Sequence, residues 1–81
     1  MNAEDLKAKI KTIKGTSQVD VMDTTGTEDH FHAVVVSSSF EGLRTIQRHQ
    51  VVFAILKNEL DSGEVHALEL KTFTPEEYER I

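Results

Sequence analysis

Polar and apolar positions switch repeatedly between a helical period and an alternating one along the chain. From Ala3 to Lys14, Leu6, Ile10 and Ile13 recur at helical spacing, with Asn2 placed to cap the first turn and Glu4 and Asp5 where the helix dipole favours anions. This predicts an amphipathic helix that stops at Gly15. Ser17 to Asp23 then alternates, with Val19 and Val21 on one parity and Asp20 and Met22 on the other, which predicts a strand with one wet face. After the polar loop Thr24 to Asp29, the stretch His30 to Ser37 is rich in β-branched residues and apolar on both parities from Ala33 onward. A central strand covered on both sides is expected there. The short loop joins the two strands as a hairpin.

The second half is read in the same way. Ser37 to Gly42 has turn chemistry around one anchoring aromatic, Phe40, and a helical stretch runs from Leu43 to about Leu60. Continuing the phase of Leu43 and Ile46 would point Gln50 and Lys57 inward, whereas the apolar residues are Val52, Phe53, Ile55, Leu56 and Leu60. A phase shift near Arg48-His49-Gln50 therefore predicts two helices joined at a tight turn. Beyond the loop Asp61 to Glu64, Val65 to Thr72 alternates again, with Leu68 and Leu70 opposite Glu69 and Lys71. Thr74-Pro75-Glu76-Glu77 is a helix start: Thr as cap, Pro in the first position and Glu to complete a capping box. A short helix carrying Tyr78 and Ile81 follows. The order is αββααβα, and the helical crossover makes the second and third strands parallel. The expected fold class is α+β, one domain over residues 1–81, with helices packed on one face of a three-stranded mixed sheet.

Composition narrows the chemistry. The chain has 81 residues, nine Lys plus Arg against 14 Asp plus Glu, a formal charge of -5 and no Cys. A chain of this length has room for one hydrophobic core. Without thiolates it cannot be a disulfide scaffold, a zinc ribbon, a Cys-dependent enzyme or a self-sufficient iron-sulfur protein. Its longest uninterrupted apolar run is Ala33 to Val36, far short of the about 20 residues that span a membrane. No targeting pattern is visible at the start, so the expected compartment is the cytoplasm. The acidic balance repels phosphate backbones at long range. Lys7, Lys11 and Lys14 share one face of the first helix and read either as a solvated stripe or as the only basic cluster in that half.

Four histidines are the informative polar residues. His30 and His32 share a strand face and read either as a half-exposed pair or as two imidazoles able to share a metal. His49, between Arg48 and Gln50, either packs at the expected turn beside a solvated Arg48 or joins Arg48 in contacting an anionic group. His66 stands where a strand begins beside a Gly-containing loop, either held by the fold or with one ring nitrogen offered as a ligand. No phosphate loop, nucleophile elbow or H-E-x-x-H pair is present, and the Ser37 to Ser39 run reads as loop, so a binding or adaptor module is expected rather than an enzyme.

The ordered set Val34-Val35-Val36-Ser37 through Phe40-Glu41-Gly42, Gln47-Arg48-His49-Gln50-Val51-Val52, Val65-His66-Ala67-Leu68 and Thr74-Pro75-Glu76-Glu77 closely resembles the BolA family across nearly the whole chain. The resemblance implies a class II KH-like αββααβα fold. It further implies a heterodimer with a monothiol glutaredoxin and a shared [2Fe-2S] cluster, one iron held by the glutaredoxin Cys and a glutathione thiolate. The isolated protein would bind no cluster. His66 matches the family's ligand in H-A-L. The family's second ligand, Cys or His, comes from the loop between the first two strands, and Thr24 to Asp29 contains neither. His30 follows that loop and can reach back, while Glu28 and Asp29 offer harder oxygen ligands. The implied role is iron-sulfur cluster trafficking or iron homeostasis. Some bacterial members are instead associated with DNA binding and transcriptional control of morphology and stress responses. The chain lacks the G-x-x-G loop with which KH-type proteins clamp nucleic acid, so that second reading rests on Arg44, Arg48, His49 and the lysine stripe.

Overall fold

A computed structural model describes residues 1–81. Helix α1 (Ala3–Ile10) starts where the sequence predicts: the Asn2 side chain accepts from the Asp5 amide at 2.8 Å and the Asp5 carboxylate accepts from the Asn2 amide. It ends one turn earlier than expected. The Thr12 hydroxyl donates to the Lys9 carbonyl at 2.7 Å, and successive tight turns carry the chain to Gly15 while still burying Ile13. A side-chain bond of this kind competes with helix continuation.

Gly15 has φ +79°, and a Cβ there would collide with the Ser38 hydroxyl. Its carbonyl accepts from the Ser38 amide at 3.0 Å, tying the end of the first helix to the turn after the second strand. Gly15→Ala should therefore destabilise the fold by at least roughly 1–2 kcal/mol, measurable by denaturant titration.

The sheet has the order β1-β2-β3. Strand β1 (Thr16–Asp23) pairs antiparallel with β2 (His30–Ser37), with an irregularity at Ser17, and β2 pairs parallel with β3 (Ala67–Phe73). Val19 opposite Val35, Val21 opposite Ala33, and Phe31 and Ala33 opposite Leu68 and Leu70 form the face on which the main helices lie. Leu6, Ile10, Val52 and Leu56 complete one core with them. The expectation that β2 is covered on both sides from Ala33 holds only at its end: Val35, Val36 and Ser37 are buried, whereas Val34 is half-buried on the open face.

A single 3₁₀ turn, Ser38–Phe40, buries Phe40 and leads to α2 (Thr45–Ile55). This helix runs unbroken through Arg48-His49-Gln50; the predicted turn lies instead at Leu56, before α3 (Lys57–Ser62). The inward stripe of α2 is Arg48, Val52 and Leu56, flanked by Val51 and Ile55, which is regular helical spacing. Ile46, taken from the sequence as inward, is 66% exposed. The apparent phase shift thus comes from a charged residue occupying a core position.

After the αL stop at Gly63, Val65 is buried and its amide bonds to the Glu59 carbonyl, so β3 begins two residues later than predicted. Helix α4 (Pro75–Glu79) has the predicted box: the Glu77 amide donates to Thr74 Oγ1 and the Thr74 amide to Glu77 Oε1. Ile81 lies beyond it and is exposed. α4 sits at the far end of the sheet, where Tyr78 packs on Phe73 and its hydroxyl accepts from Gln18 of β1. The architecture is α+β with a three-stranded mixed sheet. No helix is long and apolar enough to cross a membrane.

Candidate functional site

Parallel pairing of β2 and β3 sets the first residues of both strands side by side, His30 opposite Ala67. This brings His30 and His66, remote in sequence, to ring centroids 5.2 Å apart with planes inclined by 52°. His66 is exposed, and the His30 side chain is 38% exposed, so both rings face solvent at the strands' starting edge.

Asp29 organises the pair. Its backbone carbonyl accepts from the His66 amide at 2.7 Å and the Ala67 amide at 3.1 Å, and its Oδ1 lies 2.8 Å from His30 Nδ1. The Thr27 hydroxyl bonds the same carboxylate oxygen. Thr27 first, and His30 next, hold the Asp29 carboxyl below the usual carboxylate range, against a smaller opposing effect of desolvation. The loop before it is shaped by Asp23, whose carboxylate accepts from the Thr25, Gly26 and Glu28 amides. Glu28 takes a left-handed φ of 62° in that turn.

The other sequence candidates lie apart from this pair. His32 lies on the open face of the sheet in register with Met22 and Glu69, while the imidazole that His30 packs against is His66. No group of three or more His, Asp or Glu side chains gathers to hold a metal ion. His49 lies within α2, half-buried, edge-on to Phe53 at 6.1 Å. Arg44 is exposed at the start of α2, its amide donating to Gln47 Oε1. Lys9 is engaged by Glu59 at 2.6–2.7 Å, while Lys11 and Lys14 stay exposed. The larger surface groove, between Ile13 and Lys14 on one side and Val51, Ala54 and Ile55 on the other, is lined by no titratable acid or imidazole.

Arg48, read from the sequence as a solvated or ligand-facing cation, is turned inward instead. Its Nε donates to the Leu43 carbonyl at 3.0 Å, and its two terminal nitrogens grip both Glu77 oxygens at 2.7 and 3.1 Å. The guanidinium carbon lies 6.0 Å from the Phe40 ring centroid. With Arg48 as the main cause and the Thr74 amide next, the Glu77 carboxyl is held at about 2. The bonds to Glu77 and to the Leu43 carbonyl compete with any phosphate or partner carboxylate for the fork. The sequence reading missed Glu77 in this role because local spacing had already explained it as a capping-box residue.

A family model described as BolA-like protein matches residues 3–77. The chain belongs to the BolA family. Human BolA-like protein 2 is 39% identical over 82 residues, a match covering 99% of this chain and 93% of that one. A Haemophilus influenzae protein named DNA-binding transcriptional regulator BolA is 47% identical over 53 residues, 65% of this chain, and the match spans only 50% of that relative's length. The structure of a BolA protein homologue from Coxiella burnetii superposes with a TM-score of 0.76 at 41% identity, covering 99% of each chain. In this BolA-family fold, the imidazole pair and the Arg48–Glu77 pair lie at opposite ends of the parallel strands.

Proposed function

We propose that this BolA-family protein is a non-enzymatic adaptor that forms a heterodimer with a monothiol glutaredoxin and shares a [2Fe-2S] cluster with it, in cluster trafficking or iron homeostasis. The observation that carries this reading is the exposed His30–His66 pair, with rings 5.2 Å apart. Each iron of such a cluster has two bridging sulfides and two further ligands. Two neutral imidazoles match one iron's requirement, and a cysteine-free chain with no three-donor site of its own matches a group that is shared rather than owned. His66 and His30 would hold that iron, and the partner's Cys and glutathione the other. Replacing thiolate by neutral imidazole removes negative charge from the cluster and raises its reduction potential. The protein's own contribution is to hold two rings in place at an accessible strand edge.

Titration of a cluster-loaded monothiol glutaredoxin with this protein tests the reading. The visible absorption and circular dichroism should change to a limit at one equivalent; unchanged spectra would overturn it.

The Haemophilus influenzae relative's name favours a second reading, DNA-binding transcriptional regulation. With Arg48 internally paired, phosphate contact falls to Arg44, His49 and the stripe Lys7, Lys11 and Lys14 on a chain of net charge -5. The adaptor reading predicts no retained complex with duplex DNA even at low salt. A complex that weakens steeply with salt, and further on Arg44→Ala, would favour the regulator.

A further inference from the structure

We propose that Asp29 is a positioning residue: its carboxylate fixes His30 as the Nδ1–H tautomer and so leaves Nε2 as the free donor atom beside His66. An ionised carboxylate can only accept hydrogen bonds, so the 2.8 Å approach of Asp29 Oδ1 to His30 Nδ1 requires the ring proton on Nδ1. The Thr27 hydroxyl, bonded to the same oxygen, restrains the carboxylate in turn. The same residue's backbone carbonyl accepts from the His66 and Ala67 amides, so one residue registers both imidazoles. This arrangement answers the absence of Cys or His from the loop Thr24 to Asp29. The loop contributes an orienting carboxylate, and the first strand residue after it contributes the second nitrogen. A carboxylate behind a ligating imidazole holds the ring and raises its basicity.

The tautomer assignment stands on geometry alone; its consequence for a shared cluster rests on the adaptor reading above. Nitrogen-15 NMR of the histidine rings in the full chain, at a pH where imidazole is neutral, should show His30 protonated at Nδ1. In Asp29→Ala that signal should be lost and replaced by Nε2–H, with the amide spectrum otherwise that of the folded protein, because the backbone carbonyl survives the substitution. If Asp29→Ala does not fold, Asp29→Leu gives the same readout, since its side chain is of similar size and offers no acceptor to Nδ1–H. An unchanged tautomer in the folded variant would overturn the proposal. Titrated against cluster-loaded monothiol glutaredoxin, Asp29→Ala should reproduce the spectral response of His30→Ala; a wild-type response from Asp29→Ala beside an altered one from His30→Ala would also overturn it. Absence of any response from the wild type would remove the adaptor reading and leave the tautomer result standing.

Discussion

Arg48→Ala should lower the stability of the fold by roughly 2–4 kcal/mol, because it empties a core position on α2 and releases α4 from it. In a domain of this size that corresponds to a fall of roughly 8–30 °C in Tm, read by circular dichroism or calorimetry. The fork simultaneously satisfies the Leu43 carbonyl, covers Phe40 and clamps Glu77, so truncation removes packing and polar contacts together. The pH dependence has a definite sign. Glu77 titrates at about 2 in the fold against an ordinary 4.5, so its contribution is present above about 4.5 and lost as the pH falls toward about 2. Wild-type Tm should decline across that window, and Glu77→Gln should make the decline shallower. An Arg48→Ala variant melting close to the wild type would contradict this account of the α2–α4 junction.

His66→Ala should have the opposite profile. The side chain is exposed, so the substitution should leave stability within about 0.5 kcal/mol of the wild type. It should nevertheless abolish the spectral change produced in a cluster-loaded monothiol glutaredoxin. His30→Ala should give an altered rather than an absent response if His66 is the principal ligand and His30 the second. A wild-type response from His66→Ala would remove the ligand assignment while leaving partnership with the glutaredoxin intact.

Local signals account for what was legible in advance. The caps at Asn2 and Thr74 are formed within three residues, and both appear as read. Alternation in β1 and β3 gave the strands, and the helical crossover gave the parallel pairing of β2 with β3. The misplaced helix break has the reverse cause. Arg48 sits at an inward position because Glu77, 29 residues away, neutralises it there, and no periodicity in the neighbourhood of Arg48 reports a partner on another element. Ile46 then misled in the complementary way, as an apolar residue left on the surface. For the site, both histidines could be named from the sequence, but their approach could not. It depends on the register that sets His30 opposite Ala67 and on the Asp29 carbonyl that draws in His66. Asp29 was visible only as a loop carboxylate; its role beside His30 requires the folded turn.

The most direct test of the central claim is whether nitrogen from this chain reaches the cluster. The protein labelled with nitrogen-15 in its histidines should be mixed with cluster-loaded monothiol glutaredoxin, reduced, and examined by pulsed paramagnetic resonance. The account predicts nitrogen-15 hyperfine couplings of directly bound imidazole, lost in His66→Ala. A reduced cluster with no such coupling, the same with or without this protein, would contradict it.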